Sequence, residues 1–200
     1  MPTHSVPDKQ SFQTMANARL FMMLGIPGSG KSYFSRGLAQ KLGAVHLNSD
    51  AMRMAIFKSR EVTDKIYHSG DRHILNTYTF GSLNYASDSA LQSGVDVIYD
   101  ANNNTKKERF DTAQAMSANI RPIVVWVQTP QNVAVQRAHQ RSETASERKL
   151  SAEEALNYIE KIAGEIELPA EDEVLITIDG TISFEDQYVS FENQLMELEK

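Results

Sequence analysis

Apolar runs and amphipathic stretches alternate along this chain, a pattern typical of a parallel β-sheet with crossover helices. Residues 19–24 form a short continuous apolar run that ends at a glycine, as expected of a strand buried on both faces. In the next segment Phe34, Leu38 and Leu42 recur on one helical face, and Gly43 can end that helix. The pattern therefore predicts a strand, a glycine-rich turn and a helix at the start of the fold.

The same alternation continues to the end of the chain. Further strands are predicted at residues 44–47, 95–99, 120–127 and 174–178. Helices are predicted at residues 51–57, over most of 61–92, from the capping pair Thr105/Glu108, from Thr129-Pro130 to about Arg141, from the capping box Ser151/Glu154 to about Gly164, and from about Phe184. These elements predict an α/β fold of three layers, with a parallel sheet of about five strands between helices on both faces.

The length and composition of the chain predict a single globular domain. The chain has 200 residues, of which 41% are hydrophobic and 23% charged, as in an ordinary soluble protein. We expect residues 1–18 to be a flexible leader and residues 19–200 to be the domain. Without cysteines, and without an apolar run near the roughly 20 residues of a membrane span, the chain is expected to be cytoplasmic and to have no membrane partner. The net charge of -6 argues against broad nonspecific binding of nucleic acid.

The turn after the first strand carries the motif with the clearest chemistry. Residues 25–32, G-I-P-G-S-G-K-S, match G-x-x-x-x-G-K-S between a strand and a helix, which predicts a three-layer P-loop NTPase fold. The glycines let backbone N–H groups point at phosphate oxygens, beside the positive end of the helix. Lys31 can contact the β- and γ-phosphates and act in catalysis, and the Ser32 hydroxyl can ligate Mg²⁺. The residues predicted to bind ATP here are Gly25, Pro27, Gly28, Ser29, Gly30, Lys31 and Ser32.

Asp50 and Arg53 follow the second predicted strand and lie three residues apart, so they share one face of a first helical turn. A carboxylate beside a γ-phosphate pocket can accept the proton of an attacking hydroxyl, so Asp50 is predicted to be the catalytic base. Arg53 is predicted to bind an anionic group of the acceptor. In isolation the pair also fits a helix cap beside a solvated arginine. Ligands of open α/β sheets bind at the carboxyl ends of strands, however, and this favours the functional interpretation.

A second acidic residue, Asp100, follows the strand at 95–99 in the manner of a Walker B element, although Asp96 interrupts the apolar run. Asp100 is predicted to act with Ser32 at the metal site, either by reaching Mg²⁺ through water or by bracing the P-loop. Asn102, in the polar tract after it, is predicted to bind substrate. Turn chemistry is the better explanation for the two asparagines that follow.

Arg137 and Arg141 lie four residues apart near the end of a predicted helix, so they share a face. They lead into residues 140–150, a segment rich in Ser, Glu, Arg and Lys that we predict to be of low order, and the lid as a whole is placed at about 137–150. Closure over ATP would bring guanidinium groups to the transferring phosphoryl group. Both arginines are therefore predicted to bind ATP, and Arg137 to be catalytic, while a solvated basic helix end is the alternative for Arg141.

These motifs together resemble the polynucleotide-kinase-like P-loop kinases, a group often labelled AAA-type ATP-binding kinases. The matching segments are G-I-P-G-S-G-K-S, L-N-S-D-A-M-R, V-D-V-I-Y-D-A-N-N-N-T-K-K-E-R-F and V-A-V-Q-R-A-H-Q-R, which span about residues 20–148 in the family's order. The resemblance implies that Asp50 is the general base, that Arg53 binds a phosphate of the acceptor, and that Arg137 or Arg141 contacts the donor phosphates. The family also includes kinases of small molecules.

Three functions follow from these patterns. The first is a kinase of a nucleic-acid or nucleotide 5′-hydroxyl, and the second is a kinase of a sugar, an antibiotic or another small metabolite, which the acidic charge favours. The third is an ATP-binding switch or ATPase that acts on a protein partner; Asp50, Arg53 and the arginines of the lid count against it. The five histidines, His46 among them, show no metal-ligand spacing and are interpreted as structural.

Overall fold

The computed structural model describes residues 18–117, 120–144 and 151–200. Of the predicted leader, all but Ala18 lies outside these ranges. The strands are β1 Leu20–Leu24, β2 Val45–Asn48, β3 Val97–Asp100, β4 Ile123–Gln128 and β5 Val174–Asp179. The helices are α1 Lys31–Leu42, α2 Ser49–Phe57, α3 Arg60–His68, α4 Arg72–Gln92, α5 Lys106–Gln114, α6 Gln131–Thr144, α7 Ala152–Glu165 and α8 Phe184–Leu198. Among these helices, none combines the length and the apolar character needed to cross a bilayer.

The strands form one parallel sheet in the order β2-β3-β1-β4-β5, which confirms the predicted α/β architecture. β1 lies at the centre, paired with β3 on one side and with β4 on the other. Every residue of β1 and β3 is buried, and for β1 the continuous apolar run predicted this. Because all five strands are parallel, their carboxyl ends meet at one edge of the sheet, where the ligands of such folds bind.

Helices cover both faces of the sheet. On one face, Phe21 and Met23 of β1 pack against α1 and α8, with Phe34 and Phe191 at the centre of that cluster. On the other face, the alternate residues of β1 pack against α4 and the segment after α5, in a cluster that includes Leu83. Because side chains alternate along β1, this strand contributes residues to the hydrophobic cores on both faces of the sheet.

Two strands begin more than one residue later than predicted. β3 begins at Val97 rather than at residue 95, because the Asp96 carboxylate accepts from the Arg19 backbone N–H at 2.7 Å and from its guanidinium at 2.7 and 3.0 Å. β4 begins at Ile123 rather than at residue 120, directly after Pro122, which has no N–H to donate to a ladder. The polar residue that interrupted the third apolar run therefore anchors the segment leading into β1.

Residues 140–144, predicted to be of low order, are helical. α6 continues to Thr144, and residues 145–150 lie outside the described ranges. Ala134 and Ala138 of α6 pack against Ala155 and Ile159 of α7, and this apolar seam stabilises α6 beyond what its polar sequence suggests. The start of the predicted lid is therefore a helix packed on a second helix.

Candidate active site

The P-loop joins the end of β1 to α1 in a backbone shape that glycine alone adopts easily. Gly25, Gly28 and Gly30 have φ angles of 146°, 81° and 100°. A side chain at Gly28 would also collide with α6, because its Cβ would lie 2.2 Å from the Ala134 carbonyl oxygen. The motif glycines thus bring the loop against a neighbouring helix, and Pro27 lies at the tip between two of them.

The N-terminus of α1 presents donors toward this loop. Gly30 is the N-cap and has no side chain to accept hydrogen bonds from the first amides of α1. Lys31 Nζ donates to the carbonyl oxygens of Gly25 and Ile26 at 2.6 and 3.1 Å, so the ammonium lies against the loop. Backbone donors and a positive charge therefore meet at one point, an arrangement suited to a phosphate.

The ends of β4 and β5 brace the P-loop from the side opposite Asp100. Ser29 is fully buried, its amide donates to the Ile26 carbonyl at 3.1 Å, and its own carbonyl accepts from Thr129 Oγ1 at 2.8 Å. Gly180 follows β5, and a Cβ there would lie 2.1 Å from Thr129 Oγ1 and 2.3 Å from the Ser29 carbonyl oxygen. Any larger residue at position 180 would therefore displace the P-loop.

Asp100 is buried at the end of β3, with 3% of its side chain exposed. Its Oδ2 atom accepts from Asn48 Nδ2 at 2.8 Å and lies 3.0 Å from His46 Nε2, and both partners belong to β2. Burial raises the pKa of this carboxyl, but hydrogen bonds from His46, Ser32 and Asn48 outweigh it and hold the pKa below the ordinary value. Asp100 is therefore a carboxylate at neutral pH, bonded to the serine of the P-loop.

The donor set of Ser32 and Asp100 fits a magnesium ion. Both offer oxygen atoms, which hard cations prefer, and Mg²⁺ usually takes one or two protein ligands together with water and phosphate oxygens. Within the described ranges, no three His, Cys, Asp or Glu side chains cluster as a complete metal cage would require. A metal here would therefore depend on the phosphates of a bound nucleotide.

Asp50 and Arg53 lie at the carboxyl end of β2, in the first turns of α2, and contact each other. Arg53 Nη1 donates to Asp50 Oδ1 at 2.8 Å, while 82% of the Asp50 side chain is exposed. Arg53 Nε is buried and has no acceptor among the described residues. The N-cap of α2 is Asn48, whose Oδ1 accepts from the Ala51 amide at 2.9 Å, so the structure does not support Asp50 as the helix cap.

The segment after β3 is held in place by hydrogen bonds from Arg109. Asn102 is exposed, whereas Asn103 and Asn104 are buried with 1% and 7% exposure. Arg109 Nη1 donates to the carbonyl oxygens of these two buried asparagines at 3.0 and 3.2 Å. The guanidinium also forms a two-point ion pair with Glu173, at 2.6 and 2.9 Å. Arg109, 1% exposed, thus holds the segment that presents Asn102.

Arg137 lies beside the P-loop. Its Nη1 donates to the Gly180 carbonyl oxygen at 2.8 Å, and a Cβ on Gly30 would lie 3.8 Å from the same nitrogen. Arg141 lies one turn later on α6, and its side chain falls outside the described part of the structure. The geometry therefore connects one of the two arginines of the lid to the phosphate-binding loop.

Four residues of this site were not identified from the sequence: His46, Asn48, Arg109 and Gly180. The spacing of the histidines bears only on metal binding and does not predict the contact between His46 and Asp100. Asn48 directly precedes α2, a position that signals an N-cap, but its second bond to Asp100 depends on strand pairing. No sequence signal marked Arg109 or Gly180.

Solved structures share this architecture. A sugar kinase from Janibacter sp. HTCC2649 superposes with a TM-score of 0.63 at 19% identity, over 91% of this chain and 95% of that chain. A gluconokinase from Sinorhizobium meliloti 1021 gives a TM-score of 0.59 at 16% identity, over 91% and 93%. A chain of an RNA repair complex gives 0.56 at 19% identity, over 79% of this chain and 49% of that chain. These likenesses show that the chain shares the fold of these proteins.

Sequence comparison identifies the family. No curated protein matches the chain. The family model described as AAA domain, AAA_33, matches residues 20–163, a stretch that contains the P-loop, Asp50, Asp100 and Arg137. The predicted AAA-type family is confirmed, whereas the polynucleotide-kinase likeness rests on the more distant RNA repair structure. Since the match covers well over half of its 200 residues, the chain belongs to this AAA domain family.

Proposed function

We propose that this protein is a phosphotransferase that moves the γ-phosphoryl group of ATP to a hydroxyl group of a small, sugar-like acceptor. The observation that carries the proposal is the meeting of three features at one edge of the sheet. These are the P-loop after β1, the Ser32–Asp100 pair between β1 and β3, and the exposed Asp50 carboxylate after β2. The first two suit a magnesium nucleotide, and the third suits an acceptor.

The donor half of the site binds ATP through the P-loop. Backbone N–H groups of the P-loop, to which Pro27 contributes none, and the Lys31 ammonium hold the β- and γ-phosphates, as their position at the start of α1 allows. Ser32 and Asp100 would hold Mg²⁺, and the bound ion would supply positive charge against the charge that develops on the phosphoryl group during transfer. Arg137, beside Gly30, adds a guanidinium on the lid side of these phosphates.

The acceptor half of the site depends on Asp50 and Arg53. Asp50 accepts the proton of the acceptor hydroxyl as its oxygen forms a bond to the γ-phosphorus. The bond from that phosphorus to the β,γ-bridging oxygen breaks, and ADP leaves. Arg53 keeps the Asp50 carboxylate in place through its 2.8 Å bond, and the exposed part of its guanidinium binds an anionic or hydroxyl group of the acceptor. Asn102, exposed after β3, supplies an amide to the same pocket.

Three observations favour a small acceptor over a nucleic acid. The net charge is -6, so the chain lacks the electrostatic attraction that sequence-independent nucleic-acid binding uses. Two structures that match over nearly all of this chain and nearly all of their own are named a sugar kinase and a gluconokinase. The RNA repair chain matches over only 49% of its length. A 5′-hydroxyl of a polynucleotide is the second candidate, favoured by that structure and by the four shared motifs.

Incubation with γ-labelled ATP, Mg²⁺ and a panel of acceptors tests the proposal. The panel contains neutral sugars, sugar acids, aminoglycosides, nucleosides and oligonucleotides with a free 5′-hydroxyl. We expect label on a sugar or sugar acid, and none on oligonucleotides. Label on the oligonucleotides alone would support the polynucleotide candidate. Release of labelled phosphate at one rate with every acceptor would refute a kinase and favour an ATP-driven switch.

A further inference from the structure

We propose that His46 and Asn48 are positioning residues that hold the Asp100 carboxylate at the metal site and so set the affinity of the protein for magnesium nucleotide. The inference rests on the proposed nucleotide site. It concerns neither the acceptor nor the chemical step. Neither residue belongs to the P-loop, and neither was among the predicted ligands.

The register of β2 and β3 brings the three side chains together. Asn48 lies directly opposite Asp100, and His46 lies opposite Ile98, two residues earlier on each strand. Because side chains alternate along a strand, those at 46 and 48 point to the same face of the sheet. Both reach one atom, Asp100 Oδ2, at 3.0 Å for His46 Nε2 and 2.8 Å for Asn48 Nδ2. Two partners on one oxygen fix the plane of the carboxylate.

The third bond links this pair of strands to the P-loop. The Ser32 hydroxyl also bonds to Asp100, so His46, Asn48 and Ser32 converge on one carboxylate that is 3% exposed. A buried carboxylate that loses a donor must rotate or find another partner. Rotation would move the Asp100 oxygens away from Ser32, and therefore away from the point where a metal between them would lie.

The expected change in metal affinity follows from the effect that partners of metal ligands usually have. Removing such a partner lowers metal affinity by about 10- to 100-fold. We expect the lower end for His46, because Asn48 still holds the same Oδ2 atom when the imidazole is removed.

Three variants and one control separate positioning from general destabilisation. His46→Leu removes the hydrogen-bonding group but keeps an apolar side chain, whereas His46→Gln offers an amide near the position of Nε2. Asn48→Asp can keep the cap of α2, because Asp can accept from the Ala51 amide as Asn48 does. It replaces the donor to Asp100 with a second carboxylate. Asp64→Asn on α3, which changes an exposed carboxylate, is the control.

The experiment is calorimetric binding of ADP to each full-length protein over a series of free Mg²⁺ concentrations, with an EDTA arm and a thermal melt. We expect His46→Leu and Asn48→Asp to raise the Mg²⁺ concentration for half-maximal ADP affinity by about 10-fold or more. In EDTA their ADP affinity should stay within about twofold of wild type, and His46→Gln should recover most of the loss.

Other outcomes contradict the inference. If His46→Leu and Asn48→Asp melted earlier but kept the wild-type Mg²⁺ dependence, their role would be structural. If ADP binding by the wild type did not depend on Mg²⁺, the metal site would itself be wrong. Neither measurement involves an acceptor, so a protein that passes this test but phosphorylates nothing in the acceptor panel would refute the proposed function and leave this inference standing.

Discussion

Replacing Arg109 with alanine removes the side chain that joins α5, the segment after β3 and the segment before β5. The guanidinium makes two bonds to Glu173 and donates to the carbonyl oxygens of Asn103, Asn104 and Glu167. In the Arg109→Ala variant the Glu173 carboxylate would keep its hydrogen bond from the Ala170 amide, at 2.9 Å, but would lose both bonds from the guanidinium. It would also leave a cavity where a 1% exposed side chain had been.

The size of the loss follows from this burial. Breaking a buried ion pair by removing one partner costs about 3–5 kcal/mol, and we expect the lower end here because 14% of the Glu173 side chain is exposed. For a chain of this size each kcal/mol lowers Tm by about 2–4 °C, so we expect a fall of about 10 °C. Since typical stabilities are about 5–15 kcal/mol, the variant should still fold at 25 °C. The segment carrying Asn102 would loosen, so the KM of the acceptor should rise more than the KM of ATP.

Thermal melts and urea titrations measure this effect, with two controls. Lys107→Ala removes an exposed i,i+4 pair with Asp111 on the same helix and should shift Tm by less than about 2 °C. The double variant Arg109→Met/Glu173→Leu replaces the pair with apolar groups and should recover much of the loss. A Tm of Arg109→Ala within 2 °C of wild type would refute the assignment of this ion pair as a main anchor.

The same ion pair predicts a pH dependence. The hydrogen bond from Arg109 holds the pKa of Glu173 below its ordinary value. A carboxyl group whose pKa is lower in the folded state stabilises the fold above its unfolded-state pKa, about 4.3 for glutamate, and loses that contribution as pH falls through the folded pKa. The stability difference between wild type and Arg109→Ala should therefore be full at pH 7 and shrink below about pH 4. A difference that grows toward low pH would contradict this sign.

Four substitutions test the individual roles at the site. Lys31→Ala should abolish measurable magnesium-ATP binding or turnover with an unchanged Tm. The control Arg36→Ala, on α1, should change neither ATP binding nor turnover. Wild-type ATP binding in Lys31→Ala would overturn the P-loop assignment. Asp50→Asn should lower phosphoryl transfer by about 10²-fold or more at nearly constant Tm, because the side chain is exposed; normal transfer would remove Asp50 as the base. Arg53→Ala should raise the KM of the acceptor and leave that of ATP near wild type, and an effect on ATP alone would move Arg53 to the donor side. Arg137→Ala should lower turnover by about 10³-fold with a small change in ATP affinity, whereas equal losses would indicate ground-state binding.

The unit of β1, P-loop and α1 could be predicted almost to the residue, because its signals are local. The apolar run, the glycines and Gly43 each depend on the backbone conformation of that residue or its near neighbours. The capping boxes at Thr105/Glu108 and Ser151/Glu154 formed for the same reason, since each needs only residues three apart.

The surroundings of Asp100 could not be predicted, because they depend on which strands become neighbours. The pairing of β2 with β3 places Asn48 opposite Asp100, although 51 residues separate these two positions in the sequence. No repeat or hairpin turn between them signals that the two strands become neighbours. Gly180 and Arg109 could not be predicted for the same reason, since the residues that they contact come from distant segments of the sequence. The sequence could therefore identify which residues carry chemistry, but not those that hold them in place.

The central claim is that the γ-phosphoryl group goes to an acceptor and not to water, and ³¹P NMR of the reaction mixture tests it directly. Wild type, ATP and Mg²⁺ are followed with and without the best acceptor of the panel, and Asp50→Asn is followed beside them. The account predicts one new phosphomonoester for each ADP formed, little inorganic phosphate, and loss of the new signal in Asp50→Asn. Inorganic phosphate equal to ADP, at a rate that the acceptor does not change, would contradict it.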